Sequence, residues 1–212
     1  MKGRIPLPVA RRLSTRILEE LRGLPRLLRQ VEVAGSVRRE KAEVGDLEIV
    51  ARAGREYNER SMHGVLERLH IERGEPNRAG AKAPWGGRYY RGVAHVTDGL
   101  EVGVDLFVVY PPAEWGPIYA IRTGSAEFSQ AVVTRLHRYG LECREGRLIR
   151  RGGGETVPCP SEEVFFSAAR LPWIPPALRT IDGPDYARIW PREWDPHTSY
   201  YPPGAAPPGG GP

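Results

Sequence analysis

Thiols are scarce in this chain. Its two cysteines, Cys143 and Cys159, form no pair with metal-ligand spacing. That excludes a thiolate metal cage and leaves both thiols free, as expected in a reducing compartment. Long apolar runs are also missing, since none approaches the roughly 20 residues needed to span a bilayer. The N-terminal MKGRIPLPVARRL carries no apolar signal core, so the cytoplasm is the expected location, without a membrane partner. Lysine is nearly absent, standing only at Lys2, Lys41 and Lys82. Arginine carries the remaining positive charge and suits bidentate phosphate contact, although a GC-rich genome or a hot habitat gives the same bias.

What the chain does have is an excess of that charge. The formal net charge is +5 and the pI about 9.4, which is compatible with a nucleic-acid partner but does not identify one. With 212 residues, 40% hydrophobic and 27% charged, it is long enough for one or two domains with a proper core.

Hydrophobic spacing predicts a helix over residues 9–22, with Leu13, Ile17, Leu18 and Leu21 on one face. QVEVAG and DLEIVAR read as strands, and residues 57–70 as a helix. GRYYRGVAHV and LEVGVDLFVV make a hairpin around Thr97-Asp98-Gly99, closed by Pro111-Pro112. Helical segments follow near 114–122 and 125–139, then a small hairpin LECREGRLIR turning at Glu145-Gly146, and a short helix SEEVFFSAA. These elements predict an α+β fold in two parts: a domain over 1–112, with a mixed sheet and flanking helices, and a smaller α+β domain over 113–180. Residues 181–212 are a Pro/Gly-rich extension whose end, PPGAAPPGGGP, lacks the apolar content to fold. Within it, WPREW (190–194) reads as a hydrophobic anchor.

The charges that demand an explanation lie in VEVAGSVRREKAEVGDLEIVARA, residues 31–53. On a strand, residues i and i+2 share a face, so Asp46 and Glu48 project together while Leu47 and Ile49 face the other way. Asp105, in GVDLFVV, is another lone carboxylate among apolar residues. If the two strands are neighbours, three carboxylates converge, and such like charges need cations. Hard oxygen ligands of this kind suit Mg²⁺ or Mn²⁺, and two such ions can clamp the oxygens of a phosphoryl transfer. Taken singly, Asp46 could instead cap a turn, Glu48 could guard an edge strand and Asp105 could form a salt bridge. The Gly35-Ser36 turn adds weight, because its glycine allows close backbone approach and its serine offers a hydroxyl and an amide to phosphate.

Taken in order, RIP (Arg4 to Pro6), GSVRR (Gly35 to Arg39), GDLEIV (Gly45 to Val50), VDLFVV (Val104 to Val109), RTGS (Arg122 to Ser125) and LPWIPPALR (Leu171 to Arg179) resemble family X DNA polymerases, within the nucleotidyltransferase superfamily. The resemblance implies a palm-like domain followed by a nascent-base-pair-binding domain. It implies a DNA-directed DNA polymerase, acting as a monomer on primer-template or gapped DNA with dNTP or NTP. Asp46, Glu48 and Asp105 would bind two Mg²⁺, or Mn²⁺, with Asp105 near the primer 3′-hydroxyl. Gly35, Ser36, Arg39 and Gly45 would hold the triphosphate, and Arg4 would reach it. Thr123, Gly124 and Ser125 would lie beside the incoming nucleotide, with Phe128 and Ser129 on the next helix. DNA grip is expected from Lys82, Arg88 and Arg91, with Trp85, Tyr89 and Tyr90 available either for base stacking or for hairpin packing.

The chain departs from the family pattern in several places. Glu48 stands where the family has Asp, Ile121-Arg122 replaces an aromatic pair that helps exclude ribonucleotides, and Gly103 replaces a basic residue. Val133 falls near a position that carries a template-facing arginine. The opening at RIP implies a minimal form without N-terminal lyase and helix-hairpin-helix modules. The competing readings are a template-independent terminal transferase, a nucleotidyltransferase acting on RNA or protein, and a non-catalytic nucleotide- or DNA-binding module.

Overall fold

The computed structural model describes residues 3–76, 80–95 and 99–180. The Thr97-Asp98 part of the expected hairpin turn, WPREW and the rest of the C-terminal extension lie outside the described residues. The fold is α+β, with a mixed multi-strand sheet and flanking helices, and the chain divides into two compact units, Met1–Ala113 and Glu114–Pro212.

The first unit begins with strand β1 (Ile5–Pro6) and helix α1 (Leu7–Arg22). This helix starts two residues earlier than its apolar spacing suggests, because Pro8 in the first turn loses no intrahelical hydrogen bond. Strand β2 (Leu28–Val33) leads into a single helical turn α2 (Gly35–Arg38), then β3 (Glu43–Val44) and β4 (Asp46–Ala53). Helix α3 (Glu59–Arg68) is capped by Asn58, whose side chain accepts from the Ser61 amide at 2.9 Å. After it come β5 (Ile71–Arg73), β6 (Trp85–Gly86), β7 (Tyr89–His95) and β8 (Glu101–Val109).

The main sheet runs in the order β2-β4-β8-β7-β5, with β6 added on β7. Strands β4 and β8 are parallel, and the remaining pairs are antiparallel. Alternation sorts the two faces. Leu47, Ile49 and Ala51 of β4 share the core with Val104, Leu106 and Val108 of β8 and with Tyr90 and Ala94 of β7. Helices α1 and α3 bury Ala10, Ile17, Leu18, Leu21, Met62, Val65 and Leu66 in the same core. The carboxylates therefore occupy the other face. Loss of water from apolar side chains on one side of the sheet is what fixes which residues point to the other.

The second unit holds α4 (Trp115–Thr123), α5 (Ala126–His137), a meander of β9 (Leu141–Arg144), β10 (Arg147–Arg150) and β11 (Thr156–Val157), α6 (Glu162–Ala168), and a 3₁₀ turn, Pro176–Leu178. Phe128, Val132, Leu136, Leu148, Phe165 and Phe166 form its core. The turn into β10 uses Glu145 and Gly146, both at positive φ. Arg179, fully buried, ties the residues after α6 to that helix by pairing with Glu162 and donating to the Ile174 carbonyl at 2.8 Å.

Candidate functional site

The pairing of β4 with β8 creates the site. Glu48 stands opposite Asp105, and Asp46 opposite Gly103, so all three carboxylates lie on one sheet face. Gly103 leaves room beside Asp46, since a Cβ there would sit 3.2 Å from the Asp46 Cβ. Asp105 is 7% exposed, whereas Asp46 and Glu48 are half-buried.

Each carboxylate is placed differently. Asp105 Oδ1 accepts from the Tyr89 hydroxyl at 2.8 Å and lies 3.7 Å from Arg91 Nε. Tyr89 is itself held by stacking on Phe107, with ring centroids 4.7 Å apart. Glu48 leans on the opposite side, against the Cα of Gly35. A Cβ at that glycine would fall 1.8 Å from Glu48 Oε2 and 2.7 Å from its Cδ. Gly35 also adopts φ +57°, a left-handed conformation that favours glycine. The longer Glu side chain, where the resemblance implies Asp, is thus accommodated by an absent one. With Asp105 turned to Tyr89 and Glu48 turned to Gly35, no three acid, histidine or cysteine side chains among the described residues close into a metal cage as placed.

The Gly-Ser element is not a bare turn but the start of α2. It is fixed beside β4 by the Ala34 amide donating to the Glu48 carbonyl at 2.8 Å, and closed by the Lys41 amide donating to the Ser36 carbonyl at 3.0 Å. Ser36 Oγ is shielded from solvent and has no hydrogen-bond partner among the described residues. A buried hydroxyl left in that state costs about 1–3 kcal/mol, which an anionic ligand would recover. Arg39 caps the C-terminal end of α2. The short β1–β3 bridge pairs Ile5 with Val44 and so brings exposed Arg4 across from Gly45. The oxygen-only donor set, the glycine cradle at Gly35 and the orphaned Ser36 hydroxyl together fit a hard divalent cation with a phosphate beside it.

Other expected residues are engaged elsewhere. The Arg88 guanidinium donates to the carbonyls of Tyr110 at 2.5 Å and Pro111 at 2.6 Å, and lies 4.0 Å over the Tyr110 ring. Lys82 and Arg91 remain exposed. Trp85 and Tyr90 pack with His63, while the Tyr57 and Tyr90 hydroxyls meet at 3.1 Å. Burial raises the Tyr57 and Tyr90 phenols above their ordinary range.

Thr123, Gly124, Ser125, Phe128 and Ser129 lie in the second unit, at the junction of α4 and α5. Ser125 caps α5 by accepting from the Phe128 amide at 3.2 Å, and Ser129 Oγ donates to the Ile121 carbonyl at 2.8 Å. Gly124 is required by crowding, since a Cβ there would lie 2.6 Å from Ser129 Oγ and 2.7 Å from Phe128 Cδ1.

Sequence reasoning offered Tyr89 for stacking or packing and Arg91 for DNA, and passed over the contacts of both with Asp105. Hairpin register carried the signal: pairing residues about a turn centred on Asp98 sets Arg91 opposite Asp105, as observed.

Residues 119–180 match the family model described as DNA polymerase beta thumb. No curated protein matches the chain. The matched segment lies within the second unit, covering α5, β9 to β11, α6 and half of α4. It supports a family X polymerase-like relationship and DNA binding. The three carboxylates all precede it. No helix among the described residues is long and apolar enough to cross a membrane.

Proposed function

We propose that this chain is a metal-dependent DNA polymerase of the nucleotidyltransferase type, transferring a nucleoside monophosphate from a dNTP or NTP to a DNA 3′-hydroxyl and releasing pyrophosphate. The observation that carries the reading is the parallel register of Glu48 with Asp105, which sets them on one face with Asp46, beside Gly35 and an unmet Ser36 hydroxyl. The thumb match supports a nucleic-acid substrate.

In this reading Asp46, Glu48 and Asp105 hold two Mg²⁺, or Mn²⁺. When bound, these ions would neutralise charge on the triphosphate and clamp the attacking and leaving oxygens. The chain's own contribution is positioning. Gly35 brings backbone close to the phosphates, Ser36 Oγ donates to a phosphate oxygen, and Gly45, Arg39 and Arg4 complete the cradle. Asp105, which is buried, would assist removal of the 3′-hydroxyl proton. The resemblance assigns Thr123, Gly124, Ser125 and Ser129 to the incoming nucleotide, and Lys82 and Arg91 to the DNA. Gap filling during repair is the setting proposed for this activity.

The test is extension of labelled gapped, blunt-ended and single-stranded primers with each dNTP and NTP, in Mg²⁺ and in Mn²⁺. Templated extension of gapped DNA is expected. Extension that ignores the template would turn the reading to a terminal transferase, and tight nucleotide binding with no extension on any substrate would turn it to a non-catalytic module.

A further inference from the structure

The carboxylates share a face yet close into no cage as placed, and one reason lies on the neighbouring strand. Asp105 is drawn toward β7, where Tyr89 and Arg91 both meet the same oxygen, Oδ1. The two contacts differ in kind. At 2.8 Å the Tyr89 hydroxyl makes a true hydrogen bond, whereas 3.7 Å from Arg91 Nε is too long for one and leaves only an ion pair. The Arg91 side chain is 53% exposed and that of Asp105 only 10%. Arg91 is thus a loosely held cation standing over a buried anion. Strand β8 offers no alternative, because the position two residues before Asp105 is Gly103.

Resting on the polymerase reading, we propose that Arg91 is the resident counter-ion of Asp105 and that a divalent cation displaces it, freeing its guanidinium to bind a phosphate of the DNA. A divalent ion on the carboxylate outcompetes a distant, solvent-screened guanidinium and then repels it. The released side chain is long, exposed and suited to phosphate. Metal loading and DNA grip are then coupled, each strengthening the other by the same factor, as linkage requires. Tyr89 does not exchange, because a carboxylate oxygen can accept its hydroxyl and still ligate an ion through its other lone pair.

Substitution can release Arg91 without any metal. In EDTA, the salt dependence of binding to a fluorescent gapped duplex is measured for the full chain, Asp46→Asn, Asp105→Asn and the double variant Asp105→Asn/Arg91→Gln. Both single variants remove one negative charge, but only Asp105→Asn frees Arg91. Asn still accepts from Tyr89, so the strand keeps its hydrogen bond, and a melting curve checks folding. One added phosphate contact steepens the log–log salt slope by about one. Asp105→Asn is expected to show that change, Asp46→Asn is not, and the double variant returns to the Asp46→Asn slope. Equal slopes for the two single variants overturn the proposal, as does a steeper slope that survives Arg91→Gln, or no binding at all. These measurements read binding without metal, so they stand apart from catalysis. A chain that extends no primer but gives this slope pattern loses the polymerase reading and keeps Arg91 as the counter-ion whose release adds a phosphate contact, and an active chain with equal slopes does the reverse.

Discussion

Gly35→Ala is the sharpest perturbation the geometry of this site offers. Two costs arise together. The residue sits at φ +57°, where an L side chain is strained by about 1–2 kcal/mol. The new methyl would also lie 1.8 Å from Glu48 Oε2, 2.7 Å from Cδ and 3.0 Å from Cβ, so the Glu48 side chain must leave its place. Residues in direct contact couple by about 0.5–3 kcal/mol, which puts the expected total loss at about 1.5–5 kcal/mol. A double-mutant cycle with Glu48→Ala separates the two costs by urea denaturation. In the Glu48→Ala background the carboxylate clash is gone and only the backbone strain and a tight 3.0 Å contact with the residue-48 Cβ remain, so Gly35→Ala should cost little more than about 1–2 kcal/mol there. Additive losses, with no coupling above about 0.5 kcal/mol, would refute the claim that the glycine exists to admit the glutamate.

Two further predictions centre on the second unit, the first with an exposed pair of the first unit as its control. Arg179→Met strands the buried Glu162 carboxylate and should cost about 3–5 kcal/mol in urea denaturation, while Arg11→Ala, which breaks only the exposed pair with Glu40, should cost less than about 1 kcal/mol. Equal losses would refute the distinction. Burial pushes the Cys143 thiol up from 9.0 to about 11, and burial also raises Cys159. The folded state therefore favours the neutral thiol: that contribution to stability is full below pH 9 and is lost as pH rises through about 11. At pH 8 iodoacetamide should label Cys143 about 100-fold more slowly in the folded chain than in denaturant, and equal rates would contradict the raised thiol of this half-buried side chain.

Period-two alternation made Asp46 and Glu48 legible as a pair, because the apolar partners of β4 could only face the core. The hairpin of β7 and β8 was legible for the same reason. What local pattern does not encode is strand order: nothing in residues 46–53 or 101–109 states that they pair in parallel with Glu48 opposite Asp105. The β1–β3 bridge is two residues long on each strand, too short for periodicity to reveal, yet it places Arg4 across from Gly45. Gly35-Ser36 read as a turn, whereas the chain continues it into the helical turn of α2. The arginines were hardest to sort. Arg88 and Arg91 lie three residues apart with the same local chemistry, but strand alternation and the Tyr110 ring turn one to backbone carbonyls and leave the other exposed beside Asp105.

The central claim is that Asp46, Glu48 and Asp105 form one cation-dependent phosphoryl-transfer site. Single-turnover extension of a labelled primer at a one-nucleotide gap tests it most directly, comparing the wild-type chain with Asp46→Ala and Asp105→Ala at saturating Mg²⁺ and Mn²⁺. The wild type should extend the primer with equimolar release of pyrophosphate, and each variant should lose the reaction in both metals while still binding DNA. Extension at the wild-type rate by either variant would contradict the account.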